Sequence, residues 1–293
     1  MARLPEGCRR PAVCLLLLAL LTGCGSKSQR LLDQAETSWR KGNYEEAIQT
    51  NLELYRLDGR GKYAARALLN VGNIYYLNLR QLQGAIDDYN KLTLEFPNSA
   101  EALQARRQLA SIYTNEEVIR DLDQAIAQYD RLMESRNLPD RAEIEFQRAD
   151  AFFKKGENDR ALRALESLEE AGVGGRLAAQ VSLKIGDIYL VERRFSDAIA
   201  PYGKVLESDC QECRQRAIMS LAESYENLMD FDKAIATMRL LERNTGNMQF
   251  VAKEVERLIR KREEAERTVA LGWAQPKPNP PARKSAATSA KKK

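Results

Sequence analysis

The feature that most constrains this chain is a spacing pattern that returns six times. In each copy a small residue, the first anchor, stands three positions before a second anchor residue, which is aromatic in five copies. An alanine follows nine to twelve positions after the second anchor. An apolar residue lies seven positions beyond that alanine. Spacings of three, four and seven place residues on one face of a helix, so each copy predicts two helices that pack together. A single hairpin cannot bury its apolar side, and neighbouring copies must cover it.

The anchors can be read directly from the sequence. The small residue and its partner are Gly72 with Tyr75, Ala110 with Tyr113, Ala149 with Phe152, Gly186 with Tyr189 and Ala222 with Tyr225, preceded by a weaker copy with Ala35 and Ser38. The alanines of the second helices, 36 to 40 residues apart, are Ala47, Ala85, Ala125, Ala161, Ala198 and Ala234. The break at Glu192–Arg194 separates the two helices of the fifth copy. No sustained alternation of apolar and polar residues indicates a strand.

These copies resemble the tetratricopeptide repeat (TPR). The segment Gly42–Ile48, with the sequence GNYEEAI, and the segment Asp230–Ile235 are similar to the middle of the TPR consensus, and Phe96–Ser99 is similar to its end. The resemblance covers about residues 28–246. It implies an all-α fold: a right-handed α-solenoid of about six TPR-like helical hairpins plus a C-terminal capping helix.

Three features depart from the TPR pattern. The period exceeds the usual value of about 34 residues. The turn of the third copy, Thr114–Asp121, holds about three extra residues. Pro201 falls inside a second helix, where it should remove one backbone hydrogen bond and kink the helix.

The N-terminal residues 1–23 are typical of a secretion signal, because basic residues precede an apolar run that is too short to span a bilayer. The run ends in Leu21-Thr22-Gly23-Cys24, which resembles the lipobox of bacterial lipoproteins. That family implies lipidation of Cys24, and Gly25 in place of Asp implies the periplasmic face of the outer membrane. The alternative is an ordinary signal that happens to end in a cysteine. Residues 24–29 would form the lipidated tether, held at the bilayer by several acyl chains.

Three further segments follow the tether. Residues 30–246 are predicted to form the repeats and 247–271 a capping helix, with a partner-binding helix as the alternative for the latter. Residues 272–293 are rich in Pro, Ala and Lys and are predicted to be a disordered basic tail. This tail could make weak contacts with anionic lipid or cell-wall polymer. The overall charge of +4 comes from the two ends of the chain, so the repeat region does not have the charge of a nucleic-acid-binding domain.

Cysteine and histidine usage limits the chemistry. Cys210 and Cys213 remain after the signal is removed, and the absence of histidine disfavours a zinc site. A disulfide between them is favoured over two free thiols, and a redox role is the third alternative. Without histidine the commonest general base is missing. We therefore predict no enzyme activity, no catalytic residues, no metal and no cofactor.

The remaining class is protein binding, and the first helices of a TPR array line its groove. The residues expected to point into that groove, together with a nearby arginine, are Trp39, Asn73, Tyr76, Arg107, Asp150, Phe153, Asp187 and Glu223. Trp39 could instead pack against the membrane-proximal end of the array. The acids could be a solvated stripe, or could receive a basic partner or the protein's own lysine-rich tail.

TPR lipoproteins of this size resemble the β-barrel assembly lipoprotein and the pilotins of type IV pili. The resemblance implies a non-catalytic scaffold, anchored to the outer membrane, that helps to assemble or hold an envelope complex such as a barrel or a secretin. The alternative is a periplasmic chaperone or a cell-wall-linked coordinator that uses the groove for transient clients.

Overall fold

The computed structural model describes residues 27–136, 138–241 and 248–271. Within these ranges every regular element is helical, which confirms the predicted all-α fold. The thirteen α-helices of the described ranges are α1 (Lys27–Arg40), α2 (Tyr44–Asp58), α3 (Ala64–Asn73), α4 (Leu82–Glu95), α5 (Ala100–Asn115), α6 (Leu122–Met133), α7 (Arg141–Lys155), α8 (Asn158–Glu170), α9 (Gly175–Val191), α10 (Phe195–Leu206), α11 (Gln211–Asn227), α12 (Phe231–Met238) and α13 (Met248–Ala270). A π-helical turn (Ile74–Asn78) and two 3₁₀ turns (Glu117–Ile119 and Arg239–Leu241) complete the set.

The chain divides into two compact units, Met1–Asp121 and Leu122–Lys293. The described part of the N-terminal unit contains α1 to α5, and that of the C-terminal unit contains α6 to α13. The division falls between α5 and α6, which the sequence pattern assigns to one hairpin, the third. In the other five hairpins the two helices belong to the same unit.

The predicted anchors form the core of each hairpin. The alanines Ala47 and Ala85 in the N-terminal unit and Ala161, Ala198 and Ala234 in the C-terminal unit have no exposed surface. Because alanine and glycine leave room beside the helix axis, a ring from the facing helix can fill the space. Within each unit the apolar face of a helix is therefore covered by the next helix along the chain, as the repeat pattern requires.

A shared backbone turn closes four of the hairpins. The carbonyl oxygen of the anchor residue accepts a hydrogen bond from the N–H group five positions later, at 2.8 to 2.9 Å; the donors are Asn43, Glu157, Arg194 and Asp230. The residue before each donor has a left-handed backbone with φ between 59° and 85°. Glycine adopts this conformation freely, as at Gly42 and Gly156, whereas Arg193 and Met229 carry a Cβ atom that disfavours it. The predicted break at Glu192–Arg194 is confirmed by this turn.

The second hairpin contains one more residue between its aromatic anchor and its alanine than these four. The extra residue is taken up by the π-helical turn, in which Leu79 N–H donates to Ile74 C=O at 3.1 Å. The closing bond then spans six positions, from Gln81 N–H to Tyr75 C=O at 2.9 Å, and Arg80 becomes the left-handed residue. In the third copy the extra residues form the 3₁₀ turn Glu117–Ile119.

Pro201 does not end its helix. It is buried within α10, which runs from Phe195 to Leu206.

The last helix, α13, covers the final hairpin. Its residues Val251, Val255 and Leu258 are buried against Ala234 and Ile235 of α12. Lys, Arg and Glu occupy most of the remaining positions of α13, so the surface that it presents at the end of the C-terminal unit is charged. None of the helices in the described ranges is both long and apolar enough to cross a bilayer. The predicted signal, residues 24–26 of the predicted tether, including Cys24, and the basic tail lie outside these ranges. Residues 27–29, also assigned to the tether, belong to α1.

Candidate protein-binding surfaces

Two of the predicted groove aromatics lie in the N-terminal unit, and both are half-buried. The Trp39 Nε1–H group donates to Asn78 Oδ1 at 2.9 Å, and Asn78 belongs to the π-helical turn. The Tyr76 hydroxyl donates to Glu116 Oε1 at 3.3 Å. Arg80 lies 5.8 Å from the centre of the Tyr76 ring and 3.4 Å from Glu116. Polar partners thus hold both aromatic rings in place, and sequence reasoning missed these partners.

Asn73 has a role within its hairpin. Its Oδ1 atom accepts a hydrogen bond from the Tyr89 hydroxyl at 2.7 Å, and the Tyr89 ring packs directly on Gly72. Asn73 therefore ties α3 to α4 rather than standing free for a partner. Arg107 is half-buried on α5.

In the C-terminal unit, Asp150 forms an ion pair with a lysine on the first helix of the next hairpin. Its carboxylate contacts Lys184 of α9 at 2.6 Å and Lys154 of its own helix at 3.0 Å. Burial opposes ionisation of Asp150, but the two lysines hold its pKa below the ordinary value. The Lys184 ammonium also lies 5.1 Å from the centre of the Phe153 ring. The predicted groove residues Asp150 and Phe153 are thus both covered by one lysine.

Asp187 repeats this arrangement one hairpin later. It accepts a hydrogen bond from the Tyr202 hydroxyl at 3.0 Å and pairs with Arg216 of α11 at 3.1 Å. Burial raises the pKa of Asp187 despite the opposing effects of the tyrosine and the arginine. Tyr202 packs on Gly186 as Tyr89 packs on Gly72.

Glu226 completes the series at the last helix. Arg257 of α13 binds both of its carboxylate oxygens, at 2.7 and 2.8 Å, and Lys261 adds a third contact at 2.5 Å. The hydrogen bonds from Arg257, followed by those from Lys261, lower the pKa of Glu226 to about 2 against the opposing effect of burial. We call the pairs Asp150–Lys184, Asp187–Arg216 and Glu226–Arg257 the charge ladder. It differs from a solvated acidic stripe, because Asp150 and Asp187 each meet a base on the first helix of the next hairpin and Glu226 meets a base on α13.

Glu223 is not a member of the charge ladder, although it lines the same cavity as the pair Glu226–Arg257. It is exposed, and within the described ranges its carboxylate makes no hydrogen bond or ion pair. It lines a cavity of about 320 Å³ whose other walls include Met219, Met238 and Phe250. Met219 is 46% exposed and Phe250 is 40% exposed, so the cavity offers accessible apolar surface beside a free negative charge. We call these four residues the Glu223 pocket.

Sequence reasoning identified Glu223 but not the apolar residues around it. Neither Met219 nor Phe250 was predicted to line a binding surface. The signal was present, since Met219 lies one turn before Glu223 on α11.

The chemistry of the rest of the molecule is limited. In the part of the chain that the structure describes, no three metal-binding side chains gather at one point. Cys210 and Cys213 are joined by a disulfide.

Comparison with known families agrees with the helical architecture. Residues 66–99 match a family model described as tetratricopeptide repeat, and residues 118–175 and 146–212 match a second model with the same description. These segments are similar to tetratricopeptide repeats. Residues 66–99 fall on the second hairpin, and the other two segments run from the end of the third turn to the start of α11. No curated protein matches the sequence significantly.

Solved structures of helical repeat proteins are similar to this chain. PilW, a widely conserved type IV pilus biogenesis factor, is 13% identical with a TM-score of 0.54, and the match covers 79% of this chain and 100% of PilW. PilF of Pseudomonas aeruginosa is 14% identical with a TM-score of 0.51, covering 77% of this chain and 95% of PilF. The Naa15/Naa10 complex with HypK-THB contains a chain that is 20% identical with a TM-score of 0.52; the match covers 84% of this chain and 36% of that one. At these identities the likeness concerns the fold.

Proposed function

We propose that this TPR protein is a non-catalytic scaffold that binds a protein partner through the first helices of its C-terminal unit. The observation that carries the proposal is the Glu223 pocket. Methionine and phenylalanine adapt to an inserted apolar side chain, and a free carboxylate at the rim attracts a cation. The expected partner segment therefore places a lysine or arginine beside an apolar side chain.

The charge ladder supports this assignment by elimination. Lys184, Arg216 and Arg257 already compensate the acids along the same first helices. A partner that bound at Asp150 or Asp187 would have to displace an ion pair, and at Asp187 it would also compete with the Tyr202 hydroxyl. At Glu223 it would displace only water, so the gain from a new charged contact is larger.

We further propose that Cys24 is lipidated and holds the scaffold on the periplasmic face of the outer membrane, where it helps to assemble or hold an envelope complex. The sequence Leu21-Thr22-Gly23-Cys24 supports the anchor. The fold similarity to PilW, a pilus biogenesis factor, is consistent with such a role. A barrel or secretin subunit is the expected class of partner.

The partner is tested by purifying the tagged full-length protein from membranes of its own host. The wild type should bring down one stoichiometric envelope protein. Glu223→Lys and Met219→Asp should reduce its recovery at least tenfold, because each removes one half of the pocket. Glu166→Lys is the matched control, since Glu166 is also an exposed carboxylate in the middle of a helix.

Three outcomes would count against the proposal. Equal recovery by Glu223→Lys and wild type would eliminate the pocket. A mixed population of substoichiometric proteins would favour the chaperone or coordinator alternative. Finally, an unmodified residue 24 in the mature protein, or an unchanged membrane fraction for Cys24→Ala, would remove the anchor.

A further inference from the structure

The disulfide between Cys210 and Cys213 sits at the start of α11. Cys210 immediately precedes the helix and Cys213 lies in its first turn. The Cys213 N–H group donates to Cys210 Sγ at 3.3 Å, so the helix terminus directs a backbone donor at the first sulfur. Such a donor stabilises negative charge on Cys210 when the bridge is open.

The two sulfur atoms have different surroundings. Cys213 is only 4% exposed and packs in the core with Ala179, Leu183 and Leu221. Cys210 is half-buried and lines an open cleft of about 600 Å³. A nucleophile from solvent therefore reaches the bridge through Cys210.

We infer that the Cys210–Cys213 bridge is a thiol–disulfide exchange site in which Cys210 is the attacked sulfur. A partner thiolate forms a new S–S bond with Cys210, and the Cys210–Cys213 bond breaks with its electron pair passing to Cys213, which then takes up a proton. The second thiol of the partner attacks its own sulfur in the mixed disulfide and releases the Cys210 thiolate, which is protonated in turn. The partner, a dithiol, leaves oxidised, and this protein gains two electrons and two protons.

The charge of the cleft selects the partner. Its walls include three carboxylates, Glu207, Asp209 and Glu212, and one base, Arg176, which pairs with Glu212 at 2.6 Å. The remaining negative charge repels an anionic thiol and attracts a cationic one. For charges a few ångströms apart at a wet surface, this difference amounts to roughly tenfold in rate at low ionic strength, and salt reduces it. The exchange partner should therefore present positive charge around its dithiol.

The test uses the oxidised full-length protein and three small thiols as probes: cysteamine, 2-mercaptoethanol and 3-mercaptopropionate. Rates of bridge opening are measured by acid quenching and mass spectrometry, expressed per thiolate and corrected for thiol basicity. The expected order is cysteamine, then 2-mercaptoethanol, then 3-mercaptopropionate, with about a tenfold span at low salt. In the Glu207→Gln/Asp209→Asn double variant the span should fall to about twofold, whereas the control Glu166→Gln should keep it.

The position of the first adduct gives a second, independent readout. Peptide mapping of the acid-quenched wild-type protein should find the first adduct on Cys210. Cys213→Ala, which has no bridge to open, should form a mixed disulfide on Cys210 with cystamine, the disulfide of cysteamine, and release one cysteamine, without losing helical circular dichroism. A first adduct on Cys213, or a rate that does not depend on thiol charge, would overturn the inference. So would a bridge that opens only in denaturant, since that would make it a staple of the fold.

Discussion

Replacing Gly186 by alanine tests the packing that defines a hairpin. A Cβ atom added at Gly186 would lie 2.5 Å from Tyr202 Cε1 and 2.7 Å from Cδ1. Tyr202 has no exposed surface, and its hydroxyl is held by Asp187 at 3.0 Å. The ring would have to move by about 1 Å to restore ordinary contact, and that movement strains the hydrogen bond.

The expected loss of stability follows from three opposing contributions. Overpacking a closed core costs about 1–3 kcal/mol, and weakening the hydrogen bond to the Asp187 carboxyl costs about 1 kcal/mol more. Alanine is better than glycine inside a helix by about 1 kcal/mol, which offsets part of this. We expect Gly186→Ala to lower the free energy of unfolding by about 2 kcal/mol. Gly203→Ala is the matched control: Gly203 is also helical, but no atom lies within 4 Å of its added Cβ, so this variant should gain about 0.5–1 kcal/mol.

Urea unfolding followed by circular dichroism at 222 nm compares the two variants with the wild type. Because repeats can unfold locally, hydrogen exchange in peptides from α9 and α10 should show where protection is lost. Tyr202→Leu in the Gly186→Ala background should recover part of the loss, which a double-mutant cycle measures as coupling. If Gly186→Ala proves as stable as Gly203→Ala, the close approach of the two helices is wrong.

Three further predictions concern charge and backbone conformation. Burial raises the pKa of Asp88 from 3.8 to about 6, with Lys91 opposing it and Asp87 adding to it, so ionisation of Asp88 destabilises the fold as pH rises through this interval. Asp88→Asn should stabilise the protein by about 1–2 kcal/mol near pH 7.5 and by nothing near pH 3.5. In thermal scans Asp87→Asn, which removes only the smaller contribution to the same shift, should have a clearly smaller effect. The pKa of Glu226 is lowered from 4.5 to about 2, so its stabilising contact with α13 is present above pH 4.5 and is lost as the pH falls towards 2. Glu226→Gln should therefore speed amide hydrogen exchange in α13 at neutral pH. An unchanged exchange rate would contradict this. Met229 has a left-handed backbone with φ of 61°, which glycine adopts without the steric cost of a Cβ atom. Met229→Gly should therefore raise the midpoint of urea unfolding by the equivalent of about 0.5 kcal/mol. A lower midpoint would mean that the left-handed conformation of Met229 carries no strain.

The sequence predicted the hairpins because their anchors obey helical spacing and cannot be buried any other way. Ala47, Ala85 and Ala198 are all fully buried, as that spacing required. The sequence also contained the signal for the π-helical turn, since the interval from Tyr75 to Ala85 is one residue longer than in four of the other hairpins. A spacing alone, however, does not say whether an insertion enters a helix or a loop.

The charge ladder was beyond sequence reasoning for a different reason. Asp150 and Asp187 could be placed on the first-helix surface from their position after a small anchor. Their partners Lys184 and Arg216 are 34 and 29 residues further on, so no local spacing connects them. Which base meets which acid depends on how successive helices are rotated against each other. For the same reason the predicted groove residues could be placed on a surface, but their availability to a partner could not be judged.

The π-helical turn has a consequence for how this protein tolerates length changes. The surplus residue is held inside the helix, so the connection from Arg80 to α4 keeps the same form as in hairpins without it. Shortening the chain by one residue at Asn78 would then straighten the helix and leave the Trp39 indole without its acceptor, while the turn itself survived. Deleting this single residue would thus change the surface around Trp39 and leave the helix register of every other hairpin unchanged.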